Sequence, residues 1–167
     1  MKRYLDNLGI KELNPMQKES LRANNEANNV LLLSPTGSGK TLGFLLPLFE
    51  RLKNSIDEEG IQALIIAPSR ELAIQIEAVF KKMGSSYKSS CFYGGHEYRS
   101  ELNSLRDGMP QVLIGTPGRL VDHLNKGNID LRSVETLICD EFDCPQAVKF
   151  IITIPTATKY FLLNIAL

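Results

Sequence analysis

The residues best suited to chemistry form one run, Ser34-Pro35-Thr36-Gly37-Ser38-Gly39-Lys40-Thr41. They follow the apolar stretch Val30-Leu31-Leu32-Leu33 and lead into an apolar, helix-like segment. A strand, a glycine-bearing loop and a helix start together make the setting of a phosphate-binding loop. Backbone N–H groups of such a loop turn inward around phosphate oxygens, glycines allow close approach, and the helix N-terminus adds partial positive charge. Thr36, Gly37, Ser38 and Gly39 would form the cradle. Lys40 would reach the outer phosphates, and the Thr41 hydroxyl would ligate Mg²⁺. Ser34 stands where the general pattern has its first glycine. A second set, Asp140-Glu141-Phe142-Asp143, comes one hundred positions after Lys40 and closes the run Leu137-Ile138-Cys139. Carboxylates at the end of a buried strand are costly unless they are used there. Opposite a phosphate loop, Asp140 can hold Mg²⁺ through its waters, and Glu141 can orient or deprotonate an attacking water. Lys40 and Glu141 are therefore the candidate catalytic residues.

Positioning these groups requires a sheet. Short apolar runs recur at Val30–Leu33, Ala63–Ala67, Ser90–Tyr93, Val112–Gly115, Thr136–Cys139 and Tyr160–Leu163. Several lack polar alternation, which suits strands buried on both faces of a parallel sheet. Helical patterns lie between them: Leu72, Ile76, Val79 and Phe80 on one segment, Leu102, Leu105 and Arg106 on a shorter one. The alternation predicts an α/β fold, a mostly parallel central sheet with helices on both faces, whose ligands bind beyond the carboxyl ends of the strands. Pro47 predicts a kink or break in the helix after the phosphate loop. Lys53 to Gly60 reads as an exposed loop, and Asn24 to Asn29 as a connector into the first strand.

Composition bounds the function. A chain of 167 residues suggests one domain with a real core. Lys plus Arg and Asp plus Glu are each 19, so the neutral balance argues against binding nucleic acid by bulk charge. It leaves open a few well-placed groups, since backbone N–H donors and helix ends also hold phosphates. Cys91, Cys139 and Cys144 form no CxxC pair and have no neighbouring His for zinc, so they read as reduced thiols. Neither a signal peptide nor an apolar run of membrane length is visible, which predicts a soluble cytoplasmic protein.

The ordered set of motifs resembles the first RecA-like domain of the DEAD-box family of ATP-dependent RNA helicases, over nearly the whole chain. Gly9-Ile10-Lys11-Glu12-Leu13-Asn14-Pro15-Met16-Gln17 resembles the Q motif, and Ser34 to Thr41 is motif I. Pro68-Ser69-Arg70-Glu71-Leu72-Ala73 resembles motif Ia, and Gly94-Gly95 matches the paired glycines. Thr116-Pro117-Gly118-Arg119-Leu120 matches motif Ib, and Asp140 to Asp143 is motif II. The resemblance implies ATP and Mg²⁺ as cofactors, with Gln17 reading the adenine edge and Ile10 packing against the base. The same segment reads independently as a helix start, with Asn14 as cap, Pro15 at the first position and Gln17 completing a capping box. The resemblance also implies sequence-independent RNA contacts from Pro68, Ser69, Arg70, Gly94, Gly95, Thr116, Pro117, Gly118 and Arg119. Ser69 and Thr116 can cap helices whose free N–H groups grip a phosphate, and the two arginines can add charge-assisted contacts. Capping and turn formation alone, with Arg119 in a salt bridge, is the bland alternative for these residues. Gly94-Gly95 would let backbone approach backbone closely.

The chain departs from the family in four places. Phe142 replaces an alanine in motif II while the carboxylates stay. Phe161-Leu162-Leu163 leads into Asn164-Ile165-Ala166 where the family carries Ser-Ala-Thr, after a shortened interval that begins at Cys144-Pro145. Only eight residues precede Gly9, and Tyr4 lies too close to it to serve as the family's upstream aromatic. The second RecA-like domain, which in the family supplies arginines to the γ-phosphate and completes the RNA clamp, is not in this sequence. The expectation is an ATP-binding N-terminal helicase domain, monomeric alone, that binds nucleotide weakly and does little work without its partner domain. Two rival readings are a non-enzymatic remnant that binds nucleotide, RNA or a partner, and a DNA-acting helicase relative.

Overall fold

The computed structural model describes residues 1–35, 37–52 and 60–141, and the backbone of 160–166. Thr36, most of the Lys53–Gly60 loop, and Phe142, Asp143 and Cys144 with the altered interval after them lie outside the described residues. Six helices, α1 (Lys2–Leu8), α2 (Pro15–Glu26), α3 (Lys40–Arg51), α4 (Arg70–Met83), α5 (Tyr98–Arg106) and α6 (Pro117–Asn125), alternate with strands. The strands are β1 (Asn29–Ser34), β2 (Ala63–Ile66), β3 (Ser89–Phe92), β4 (Val112–Gly115), β5 (Thr136–Asp140) and β6 (Tyr160–Ala166). Each matches one of the six apolar runs. They form one sheet in the order β1-β6-β5-β2-β4-β3, and every pairing is parallel.

Alternation along the central strands sorts the core into two layers. Ala63, Ile65 and Ala67 face one cluster with Phe44, Leu48, Ile76 and Phe80 from α3 and α4. Leu64 and Ile66 face the other, with Phe92, Leu120 and Val134. Phe49 stacks on Phe80 at 4.9 Å and meets Tyr4 of α1 at 4.7 Å, so the N-terminal helix closes the first layer. Burial on both faces explains why β2, β4 and β5 read as unbroken apolar runs.

Two local expectations are corrected. Helix α3 runs unbroken through Pro47. A proline at 47 removes the N–H that would bond the Gly43 carbonyl. Ser20 Oγ of α2 donates to that carbonyl instead, at 2.6 Å in a buried setting. Gly43 also lacks the Cβ that would meet Leu32 and Met16 at 3.1 Å. A tertiary contact thus supplies what the helix lost. Asn24, Asn25 and Glu26 form the last turn of α2 rather than a connector. Asn24 is buried, and its Nδ2 donates to the Ser20 carbonyl at 2.9 Å.

Candidate functional site

Each singled-out motif except the N-terminal one stands at the carboxyl end of a strand. Strand order divides them into two neighbouring groups. The loop after β1 and the acidic end of β5 flank β6, while the ends of β2, β4 and β3 carry Pro68–Arg70, Thr116–Arg119 and Gly94–Gly95. Sequence distance says nothing of this partition.

In the first group a cavity of about 270 Å³ is lined by Gly37, Gly39, Lys40, Thr41, Asp140 and Glu141, with Leu72 and Gln75 from α4. Gly37 and Gly39 have φ of 81° and 84°, the left-handed region that favours glycine. The Ser34 hydroxyl is buried and contacts the Ser38 hydroxyl across the loop, so the serine at the first-glycine position ties the loop together. Lys40 Nζ is buried without a hydrogen-bond partner among the described residues. A buried ammonium left unpaired is costly. Its position in the cavity wall suits an anionic ligand.

Asp140 is buried at the end of β5, and Glu141 follows with φ of 51°, the one described non-glycine residue with positive φ. Such a conformation costs about 1–3 kcal/mol and clusters at functional sites. Thr41 and Asp140 offer hard oxygen donors to one cavity, a set that fits Mg²⁺, which takes one or two protein ligands beside waters and substrate phosphates. No cluster of three or more His, Cys, Asp or Glu able to hold a metal occurs among the described residues.

The Q-like segment reaches the loop by its side chains. Asn14 and Gln17 form the predicted capping box of α2, with bonds of 2.9 and 3.0 Å. Asn14 Nδ2 also donates to the Ser38 carbonyl at 2.9 Å, and Gln17 Nε2 to the Gly39 carbonyl at 3.2 Å. One helix cap therefore also braces the phosphate loop, and Gln17 keeps one donor and one lone pair for another partner. Ile10 packs partly buried against the first core layer and is not part of the cavity wall. Leu72 and Gln75 were not anticipated. Leu72 lies within motif Ia and Gln75 just after it on α4, and strand order brings both to the cavity.

In the second group Ser69 caps α4, its Oγ accepting from the Leu72 N–H at 3.2 Å. Thr116 occupies the cap position of α6 without a side-chain cap bond, which leaves that helix N-terminus open. Arg70 is exposed, pairs with Glu71 at 2.5 Å, and lies 3.6 Å from where a Cβ on Gly95 would stand. The expected close approach of backbone to backbone at Gly94-Gly95 is not found among the described residues. A Cβ on Gly94 meets nothing within 4 Å, and Gly95 is required by its φ of 85°. Gly118 likewise faces open space, while Pro117 is buried. Arg119 is turned inward, toward Glu101 and the His96 carbonyl.

The altered C-terminal motif lies between the loop after β1 and the acidic end of β5. Asn164 of β6 is in register with Asp140 on one side and Leu32 on the other, and Ala166 with Ser34.

Comparison with known proteins agrees with this geometry. A family model described as DEAD/DEAH box helicase matches residues 14–161. The chain is 36% identical over 145 residues to the ATP-dependent RNA helicase DDX50 of Mus musculus, a match that covers 84% of the chain and 20% of that protein. It is 39% identical over 155 residues to the ATP-dependent RNA helicase DeaD of Escherichia coli K12, covering 91% of the chain and 24% of that protein. The chain thus spans about a fifth to a quarter of these relatives. A crystal structure of a DEAD box protein from Methanococcus jannaschii superposes with a TM-score of 0.86 at 30% identity, over 98% of this chain and 46% of that one. A hypothetical ATP-dependent RNA helicase from Sulfolobus tokodaii gives 0.84 at 28%, over 99% and 50%.

Proposed function

Because the chain belongs to the DEAD/DEAH box helicase family, we propose that it is the ATP-binding N-terminal RecA-like domain of an ATP-dependent RNA helicase. In the parent protein it would couple ATP hydrolysis to unwinding or remodelling of RNA, acting with a second RecA-like domain in the cytoplasm. The observation that carries the reading is the cavity where Gly37, Gly39, Lys40 and Thr41 face Asp140 and Glu141. Phosphates would lie against the loop N–H groups and the α3 N-terminus, with Lys40 neutralising the charge that builds on the outer phosphate. Thr41, and Asp140 through water, would hold Mg²⁺, which would supply positive charge to offset the negative charge of the phosphates. Glu141 would take the proton of the attacking water. Gln17 would accept and donate at the adenine edge while its remaining atoms brace Gly39. Single-stranded RNA would run along Pro68–Arg70, Gly94–Gly95 and Thr116–Arg119, held by backbone and phosphate contacts that carry no sequence information.

The test is RNA-stimulated ATP hydrolysis by the parent protein. Glu141→Gln should abolish turnover and keep nucleotide binding, because the amide preserves shape and removes the base. Full activity in that variant overturns the base assignment, and stimulation by DNA in place of RNA overturns the substrate class.

A further inference from the structure

We infer that Glu101 is a positioning residue for the nucleic-acid face, and that Arg119 serves this face as a strut anchored on Glu101 rather than as a cation that grips phosphate. The inference rests on the RNA reading above. Glu101 is the buried residue of α5, its side chain 1% exposed. A carboxylate so deep must be paired from several sides. Its Oε1 accepts from the Tyr93 N–H at 3.2 Å and lies 3.6 Å from His96 Nδ1, bracketing the Gly94–Gly95 turn. Its Oε2 lies 2.8 Å from Arg119 Nε and 2.9 Å from His123 Nε2, both on α6. The Arg119 contact is ionic and off the N–H axis, whereas the His123 contact is a hydrogen bond.

The surroundings enclose this cluster. His123 is fully buried, stacked between Phe92 at 4.6 Å and Tyr98 at 4.5 Å. Asn128 Nδ2 faces His123 Nδ1 at 3.4 Å as a donor, which leaves the ring proton on Nε2 to be given to Glu101. His123 and Arg119 of α6 thus meet the one carboxylate of Glu101 together. Arg119 closes the cluster from two directions, since its Nη2 donates to the His96 carbonyl while Nε faces Glu101. Its side chain is 14% exposed, against 63% for Arg70 on the same face. Arg70 is thus available to a phosphate, and Arg119 is spent on fastening the 93–96 turn to α6. A lysine lacks the planar fork whose two separate nitrogens, Nε and Nη2, reach Glu101 and the His96 carbonyl.

A double-mutant cycle on this chain decides the matter. Binding of a labelled single-stranded oligouridylate would be measured beside ATP affinity and amide hydrogen exchange for wild type, Glu101→Ala, Glu101→Gln, Arg119→Lys and the Glu101→Ala/Arg119→Lys double variant. Glu101→Ala and Arg119→Lys should each weaken RNA binding roughly tenfold, and the double variant no further, because both break one strut. Exchange at Tyr93 to His96 should quicken in each while ATP affinity stays constant. Glu101→Gln should recover little of the loss, since an amide whose oxygen still accepts from the Tyr93 N–H turns its NH2 toward the Arg119 and His123 donors. Losses that multiply to about a hundredfold would mean that Arg119 holds RNA itself, and would overturn the inference. A parallel fall in ATP affinity would reduce Glu101 to a general folding residue and overturn it as well. A wild-type chain that binds no RNA would instead overturn the RNA reading and the role of Arg119 on that face. Exchange at Tyr93 to His96 would then still decide whether Glu101 fastens the turn.

Discussion

Replacing Lys40 by methionine should make the ligand-free chain more stable and blind to nucleotide. Lys40 Nζ is buried without a hydrogen-bond partner among the described residues, so it is a desolvated charge short of hydrogen bonds there. Leaving a buried polar group unsatisfied costs about 1–3 kcal/mol, more when it is charged. Methionine keeps the length of the stem and removes the charge. For chains of this size 1 kcal/mol moves the melting temperature by about 2–4 °C, so Lys40→Met should melt higher by at least about 2 °C. ATP with Mg²⁺ at a hundred times its Kd should stabilise wild type by about 2.7 kcal/mol, or about 5–11 °C, and the variant by almost nothing. Stability therefore ranks in opposite orders without and with nucleotide. The chain has no tryptophan, so calorimetry or an extrinsic dye is the appropriate probe. A variant that melts below wild type when free, or that keeps the nucleotide shift, refutes the reasoning.

Ser20→Ala should cost about 1–3 kcal/mol in urea unfolding, because it orphans the Gly43 carbonyl. The same change in a Pro47→Ala background should cost under about 1 kcal/mol, since residue 47 then supplies its own N–H to that carbonyl; equal costs in both backgrounds would contradict the account of α3. Gly115→Ala should destabilise by about 3 kcal/mol or more, because its Cβ would stand 2.7 Å from the Phe92 carbonyl oxygen and 2.9 Å from Leu120 Cδ2. Gly118→Ala, with nothing within 4 Å, should be neutral or slightly stabilising in the same melts. Burial pushes the thiols of Cys91 and Cys139 up to about 12. Peptide-level mass spectrometry should therefore find both slow to alkylate at pH 8 until the chain is unfolded, and rapid native labelling of Cys139 would contradict its place in the second core layer.

Much of the fold was legible because its signals are local. Six apolar runs of strand length became the six strands, and β2, β4 and β5, buried throughout, need apolar side chains in succession whatever lies beside them. The Asn14–Gln17 capping box and the Ser69 cap were legible for the same reason, as a helix start needs its acceptors within three residues. The break allowed for at Pro47 does not occur, and the missing donor is replaced by Ser20, which is 23 residues from Gly43 in sequence and on another helix. The Asn24 turn was misread because a buried asparagine that bonds back to its own helix is favoured there over a loop.

The sequence by itself determined where the glycine-bearing loop from Ser34 to Thr41 and the acidic pair Asp140-Glu141 stand, because each needs only its own residue types and a strand before it. Tertiary structure alone decided how these are grouped. Strand order put β6 between the loop and the acids, brought Leu72 and Gln75 to the same cavity, and set the motifs at Arg70, Gly95 and Thr116 on the adjacent part of the sheet edge. It also separated two arginines that look alike in sequence. Arg70 was left in solvent, while Arg119 was drawn inward by a buried glutamate that no local pattern marks. The physical reason is the low dielectric of the interior. A charge buried there must be answered by whatever the fold brings within reach, and that partner is fixed by packing rather than by spacing along the chain.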